Sequence, residues 1–123
     1  MNRIFIMGRL TADPEVRTLK GGQHVAQFGV AVNRKAKDGE QTADFFNVVA
    51  WGDTADFASR YLNRGKLITI EGSMRSRRYT AKDGNPRTIW ELVADRIYFA
   101  EPKASPEKKK QVDADDDLPF PMD

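Results

Sequence analysis

The chain of 123 residues has room for one domain with a modest core and a short additional segment. Hydrophobic residues make up 40% of it and charged residues 31%, as in ordinary soluble globular proteins. It contains no cysteine, which excludes disulfides and thiolate zinc sites. No apolar run approaches the roughly 18 residues of a membrane span. The start, MNRIFIMGRL, has too short an apolar run for a secretory signal, so we expect a cytoplasmic location and no membrane.

The charge is divided unevenly along the chain. Residues 1–103 carry 17 lysines and arginines against 12 acidic residues, whereas residues 104–123 carry 3 against 6. A basic body favours a polyanionic ligand, and an acidic end favours a separate, basic partner. On charge alone, a solvated surface with a solubilising tail explains the pattern equally well.

Five segments have the composition of β-strands and are bounded by turn signals: residues 2–10, 25–34, 44–51, 66–79 and 88–99. The second alternates, with Ala26, Phe28 and Val30 on one face. The third places Phe46, Val48 and Ala50 on one face and Phe45, Asn47, Val49 and Trp51 on the other. These alternations predict one core face and one outer face for each strand.

A helix is predicted between the third and fourth strands. Residues 53–63, DTADFASRYLN, place Phe57, Tyr61 and Leu62 at helical spacing, with Asp53 or Thr54 as the N-cap and a glycine at position 65 as the stop. Three strands, one helix and two strands is the order of the OB-fold, a five-stranded, partly open Greek-key barrel. The predicted fold class is therefore all-β, an OB-fold barrel with one helix.

The remaining segments are expected to lie outside the barrel. Residues 33–43 and 80–87 read as long hairpin connections with Asp-Gly turns. After residue 103 the chain has too few apolar residues to offset its conformational entropy, so we expect disorder. This divides the chain into a barrel domain, residues 1–103, and a linker with an acidic tail, residues 104–123.

The outer faces of two predicted strands suggest a ligand platform. Arg75, Arg77 and Tyr79 alternate along the fourth strand, while Phe45 and Trp51 share the outer face of the third. Unpaired nucleic-acid bases stack on such aromatic rings for roughly 1–3 kcal/mol each, without sequence preference. Duplex DNA exposes no base faces and would not fit a concave sheet.

These residues also have interpretations that involve no ligand. Arg77, Arg78 and Tyr79 could form a merely solvated rim of a hairpin. Trp90 lies on the last strand without clustered charges, which favours a place in the core. Phe45 and Trp51 differ because the opposite face of their strand already supplies a core.

Signals of catalysis are weak. His24 is the only histidine, and a surface or hydrogen-bonded role is expected for it. Gly21 and Gly22 form a turn, since neither a helix nor a Lys-Ser/Thr pair follows as in a phosphate loop. The aspartates of DADDD lack the fixed geometry of a metal site. We therefore expect no enzyme, no metal and no cofactor.

The chain resembles the bacterial single-stranded DNA-binding proteins. The resemblance is carried by NRIFIMGRLTADPEVR at residues 2–17, by EQTADFFNVVAWGDTADFASRYLNRGKLITIEGSMRSRRY at residues 40–79, and by DDDLPF in the tail. It implies an OB-fold that assembles as a homotetramer and wraps single-stranded DNA in the bacterial cytoplasm, associated with the nucleoid. It also implies a disordered linker and an acidic tip that recruits replication, recombination and repair proteins.

The resemblance also implies roles for particular residues. The base-stacking aromatics of the family fall at Phe45, Trp51 and Tyr79. A further stacking aromatic in the hairpin between the second and third strands has no counterpart, since Arg34, Lys35 and Lys37 offer only charge. These three cations are expected to contact phosphates, together with the cations of the fourth strand, Arg75, Arg77 and Arg78.

The acidic tip matches the family at Asp115, Asp116, Asp117, Leu118, Pro119 and Phe120. In the family the phenylalanine is terminal and its free carboxylate meets a basic residue of the partner, whereas here Pro121 follows Phe120. The linker is also short, which argues against properties that need a long one, such as strong cooperative clustering on DNA.

Two rival functions remain. One is an OB-fold RNA-binding or primosome-type protein, which would have no reason to carry the acidic tip. The other is an OB-fold nuclease, which would need clustered carboxylates on the barrel.

Overall fold

The computed structural model describes residues 1–101, so the predicted linker and tail lie outside the described residues. The described part contains six strands and one helix: β1 (Ile4–Leu10), β2 (Glu15–Thr18), β3 (His24–Lys35), β4 (Gln41–Trp51), α1 (Gly52–Tyr61), β5 (Leu67–Thr80) and β6 (Pro86–Phe99). In this region no helix is long and apolar enough to cross a membrane.

Five of the strands close into a barrel, in the order β1-β5-β6-β4-β3 and back to β1. Strand β1 pairs with β5 from Ile4 to Arg9 and with β3 at Arg9 and Leu10. The pairing of β4 with β6 is parallel and short, whereas the others are antiparallel. The helix lies between β4 and β5 in chain order. This confirms the predicted five-stranded barrel with its single helix.

Strand β2 was not predicted. It pairs antiparallel with β3, from Glu15 opposite Gln27 to Thr18 opposite His24, and adds a sixth strand outside the closed ring. All four of its residues are exposed. A strand this short, with no buried face, has no alternation that sequence reasoning could detect.

The barrel interior is filled by the predicted core faces. The largest completely buried side chains come from four strands of the ring: Val30, Val48, Ile68, Ile70 and Leu92. Burial of each such side chain stabilises the fold by roughly 1.5–3 kcal/mol. The helix packs against this core through Ala55 and Ala58, and Leu62, which directly follows the helix, is buried in the same cluster.

Two glycines allow the strands to approach closely. A Cβ at Gly8 would overlap the carbonyl oxygen of Ala31, where β1 meets β3. A Cβ at Gly72 would overlap the carbonyl oxygen of Val93, next to the irregularity in the β5–β6 pairing. Beyond that irregularity the inward face of β6 changes parity, from Leu92 and Ala94 to Ile97.

The ends of the first strand and of the helix differ from the prediction. Strand β1 begins at Ile4, and the Asn2 side chain bonds the backbone N–H and carbonyl of Met74 instead of continuing the ladder. The helix N-cap is Trp51, without a side-chain cap, so neither Asp53 nor Thr54 has that role. Tyr61 ends the helix and is half exposed, because small alanines form the buried stripe.

Both predicted connections are shorter than expected, because paired strand extends into each of them. Strands β3 and β4 remain paired out to Lys35 opposite Gln41, and β5 and β6 out to Thr80 opposite Pro86. Each pair extends past its barrel neighbours as a two-stranded arm, which we call the β3–β4 arm and the β5–β6 arm. Only the tips, AKDGE at residues 36–40 and AKDGN at residues 81–85, are turns.

The two tips have the same structure. In each, the alanine donates its N–H to the carbonyl four residues on, and the glycine donates its N–H back to the alanine carbonyl. Asp38 and Asp83 each accept a backbone N–H from two residues on, which lowers the pKa of both carboxyl groups. Gly39 and Gly84 have φ near +86° and +85°, which favours glycine.

The expected core position of Trp90 is wrong. Trp90 is 59% exposed although it shares a face with buried Leu92. Strand β4 pairs with β6 only at residues 92–94, and β1 pairs with β5 only as far as Gly72. Trp90 therefore lies on the free β5–β6 arm, where no other strand covers it.

Candidate nucleic-acid interface

The outer faces of β2, β3 and β4 form the floor of an open groove. Paired residues of antiparallel strands share a face, so Arg17, Val25 and Trp51 form one row across the three strands. Gln27 and Val49 lie in the next row. The groove consists of two adjoining cavities of about 410 and 790 Å³. They share Gln27, Val49, Arg77 and Glu91.

The base of the β5–β6 arm forms the wall of this groove. Arg75 pairs with Glu91, and Arg77 pairs with Ile89, so these side chains face the same way. Arg77 donates to Glu91 twice, from Nε to Oε1 at 2.9 Å and from Nη2 to Oε2 at 3.3 Å. Hydrogen bonding to Glu91 raises the pKa of Arg77, which stays charged at any working pH. The contact holds the guanidinium in place while leaving three of its five N–H donors for a ligand.

The two halves of the groove differ in charge. The half beside Trp51 contains Arg17, Arg75 and Arg77 with one carboxylate, Glu91. The other half, beside Asn47, contains Asp13, Glu15 and Glu91 with Arg77 as its only cation. A negatively charged backbone would therefore be attracted to the Trp51 half.

The three predicted stacking residues are all accessible. Trp51 is 41% exposed and lines the groove, with its flank against Val25 of β3. Phe45 is 73% exposed and lies on the same face of β4, farther out along the β3–β4 arm. Tyr79 is 45% exposed and lies beyond Arg77, whose guanidinium carbon is 6.0 Å from the ring centre. One outer surface thus presents aromatic faces beside cations.

The predicted cations of the β3–β4 arm do not share one face. Lys35 pairs with Gln41 and lies on the face of Phe45. Arg34 lies on the opposite face, where its Nε is 3.1 Å from Asp44 Oδ1. Lys37 is exposed in the turn at the tip. Lys35 and Lys37 are therefore better placed than Arg34 to approach a strand bound over Phe45.

Arg78 lies on the opposite face of the arm from the residues next to it in sequence. It pairs with Thr88 and so faces away from Arg75, Arg77 and Tyr79. The predicted cation set of the fourth strand is thus divided between the two faces of the arm.

Sequence reasoning missed one cation of this surface, Arg17, and one at the tip of the β5–β6 arm, Lys82. Arg17 lies in the groove because β2 pairs with β3, a strand that had no sequence signal. Lys82 occupies the same place in its turn as Lys37 in the other, and the repeated AKDG sequence was the signal that could have found it.

His24 has a hydrogen-bonded role, as expected. Its Nδ1 is 2.6 Å from Asp56 Oδ1, which links the start of β3 to the helix. Among residues 1–101, no group of three or more histidines, cysteines and carboxylates could hold a metal ion.

Comparison with known proteins decides the family. The model of the single-strand binding protein family matches residues 1–100. The chain belongs to this family. It is 47% identical over 103 residues to a single-stranded DNA-binding protein of Clostridium tetani (strain Massachusetts / E88), covering 82% of this chain and 71% of that one.

Two further relatives agree with this assignment. A single-stranded DNA-binding protein of Staphylococcus aureus (strain MRSA252) is 42% identical over 107 residues, or 85% of this chain and 69% of that one. A solved Plasmodium falciparum SSB in complex with ssDNA is 25% identical, with a TM-score of 0.74. That match covers 82% of this chain and 96% of the solved one.

The stacking residues can be tested by truncation. We expect Trp51→Ala and Phe45→Ala each to weaken binding of single-stranded oligo-dT by roughly 1–3 kcal/mol, because each change removes one stacking surface. Fluorescence anisotropy of a labelled oligonucleotide measures the affinity, and circular dichroism checks the fold. Tyr61→Ala, which removes an exposed ring from the helix, is the control and should not change affinity. If either variant unfolds while its folded fraction binds normally, that residue serves the core instead.

Proposed function

We propose that this member of the family binds single-stranded DNA without sequence preference and protects it during replication, recombination and repair. It acts as a non-catalytic homotetramer in the bacterial cytoplasm, associated with nucleoid DNA. The observation that carries the proposal is the shared surface of exposed Trp51 and Phe45 with Arg17, Arg75 and Arg77. Aromatic platforms beside a cationic track suit bases that are unpaired and phosphates that are accessible.

The groove also accounts for the proposed indifference to sequence. Its arginines, Arg17, Arg75 and Arg77, suit phosphates, which are the same for every base. Amide side chains are the neutral groups that make paired hydrogen bonds to base edges, and in the groove that the described residues form they are limited to Gln27 and Asn47. Stacking on Trp51 needs only a π face, which all bases have.

The proposal is tested by comparing ligands. Oligo-dT should quench tryptophan fluorescence, as stacking on Trp51 predicts, and bind far more tightly than a duplex of the same length, because a duplex hides its base faces. The affinity should fall as salt rises, with a slope of log affinity against log salt of about −0.7 for each neutralised phosphate. Equal or tighter binding of duplex would overturn the proposal, and a strong preference for oligo-U would favour the RNA-binding alternative.

The charge contribution of the β3–β4 arm is resolved in the same titration. The combined change of Arg34, Lys35 and Lys37 to alanine should flatten the salt slope, with little dependence on base composition. An unchanged slope would mean that this arm points away from the nucleic acid.

Assembly is proposed to use two features of β1. From Ile4 to Gly8, one edge of β1 has no partner strand among the described residues, and open edges tend to pair with another chain. Phe5 and Met7 are more than half exposed on the outer face of the barrel. Tyr98 belongs to that face, because Met7 pairs with Thr69 and Thr69 pairs with Tyr98. An edge contact and a face contact, each made with a second copy, together generate a closed tetramer.

Light scattering at micromolar concentration should therefore report about four chains, as expected for two different two-fold contacts. The variant Tyr98→Glu places a charge in the face contact and away from the β1 edge, so it should give pairs of chains. Arg60→Glu on the exposed helix surface is the control and should leave four. A monomeric wild-type protein would eliminate wrapping by a tetramer.

The tail is proposed to recruit partner proteins. Asp115, Asp116 and Asp117 would meet a cationic surface, and Phe120 an apolar pocket. Because Pro121 follows, Phe120 offers a neutral carbonyl where a terminal residue would offer a carboxylate. A charge-assisted hydrogen bond is about twice as strong as a neutral one. We infer that the pocket of the partner is open enough to let the chain continue.

A peptide of residues 111–123 should bind a host primase or recombination mediator about as tightly as a peptide that ends at Phe120. Isothermal calorimetry measures both, with a peptide carrying Phe120→Ala as the control that should bind poorly. If the shorter peptide binds about tenfold more tightly or better, which is about 1.4 kcal/mol, the open-pocket inference is wrong. Failure of both peptides to bind would remove the recruitment role of the tail.

A further inference from the structure

Trp90 is a large exposed side chain that the groove does not use. It is 59% exposed on the β5–β6 arm, and its cross-strand partner is the small Ser76. Burial of its ring would remove a large apolar surface from water. The other face of the arm already carries the proposed binding surface. The exposed indole is therefore a candidate for a further contact with the same ligand.

In the described part of the chain, the face of the arm that contains Trp90 has one charged side chain. Cross-strand pairing places Ser76, Arg78, Thr80, Pro86 and Thr88 on the same face as Trp90. Arg78 is diagonal to Trp90 and is the charged side chain of this face. Among residues 1–101 no carboxylate lies within ion-pair distance of its guanidinium, whereas Arg77 on the other face is held by Glu91. An indole ring thus stands next to an unpaired cation, the same two elements as Tyr79 and Arg77 on the groove side.

The charge on this face favours a polyanion over a protein partner of mixed charge. On its face of the arm, Arg78 has no neighbouring carboxylate among the residues that the structure describes. At the tip, Lys82 is a further cation, and the carboxylate beside it, Asp83, is paired with Arg87. The face is also continuous with the groove, because the same two strands form both sides and the arm is one hairpin thick. A single strand that leaves the groove past Arg77 and Tyr79 reaches the Trp90 face by passing around the tip.

We propose that Trp90 and Arg78 form a second contact for the single strand, on the back of the β5–β6 arm, with a base stacked on the indole and a phosphate on the guanidinium. The contact rests on the proposed function and extends it. The strand passes around the arm and is held on both sides. Its sources of affinity are the same as in the groove, so it adds length to the bound strand without adding sequence preference.

The two tryptophans of the chain make this contact directly measurable. The quenching of Trp90 is the difference between the wild-type protein, which has both tryptophans, and the variant Trp90→Phe, which retains Trp51 and an unaltered groove. Both proteins are titrated with oligo-dT of about 60 nucleotides and of about 8 nucleotides, which exceed and match the 4–16 nucleotides that one OB barrel binds. The long oligonucleotide should quench Trp90 in proportion to occupancy, and the short one should fill the groove while leaving Trp90 nearly unchanged.

Substitutions separate the second contact from the groove. Trp90→Thr should weaken binding of the long oligonucleotide about tenfold and leave the short one unaffected, whereas Trp90→Phe should retain most of the affinity. Arg78→Gln should reduce the salt slope for the long oligonucleotide by about 0.7 for each subunit whose β5–β6 arm the strand contacts, which is one phosphate per arm. Arg60→Gln, an exposed helix arginine, is the control and should not change the slope.

The outcomes separate this contact from the proposed function itself. If the wild-type protein binds the long oligonucleotide but Trp90 is not quenched, the second contact is wrong and the groove stands. If Trp90→Thr changes the number of chains in light scattering, Trp90 belongs to an assembly contact and the inference fails. If neither oligonucleotide binds the wild-type protein, the proposed function fails as well.

Discussion

Strand β1 is hydrogen-bonded to two strands at once, to β5 along most of its length and to β3 at Arg9 and Leu10. This double pairing closes the ring, and it requires a glycine at position 8, where the backbone of β3 passes within contact distance. Once the ring is closed, each strand has one face toward the packed interior and one toward solvent. The outward faces of β2, β3 and β4 are then available as the floor of a groove, because the core is already complete without them.

The extent of each pairing decides where the binding surface can be built. Strand β1 leaves β5 at Gly72, and β4 pairs with β6 over only three residues, so the outer parts of both hairpins are free on two sides. A free arm can place cations beyond the barrel without burying them, as with Arg77 against Glu91 and with the lysines at the two AKDG tips. The uneven charge of the groove follows from the same arrangement, because the arm brings Arg75 and Arg77 over the row that contains Arg17 and Trp51.

Local alternation was sufficient to predict the faces of the barrel strands. Val48 and Ala50 are buried and Phe45 and Trp51 exposed, as their parity requires, since the period of a strand is a property of its own residues. Val49 shares the outer face and lines the groove, but it is buried there. The exposure of Trp90 could not be predicted in this way. Its parity is that of the core, but its exposure depends on where β1 and β4 end, which is a long-range property. The division of Arg77 and Arg78 between two faces was implicit in the alternation, whereas Arg17 depended on the pairing of an unrecognised strand.

Part of the proposed binding surface is ordered before any ligand arrives, and this affects how binding energy is used. Phe45, Trp51 and Tyr79 are on paired strands and Arg77 is held by two hydrogen bonds, so these side chains lose less conformational entropy on binding than the exposed lysines of the arms do. The larger cost falls on the single strand, which must give up its own flexibility to follow the surface. Each stacked base and each neutralised phosphate offsets part of this entropy cost. The total gain therefore grows with the length of strand that is bound. A surface that continues around an arm would therefore gain affinity by the same means as the groove, through added length.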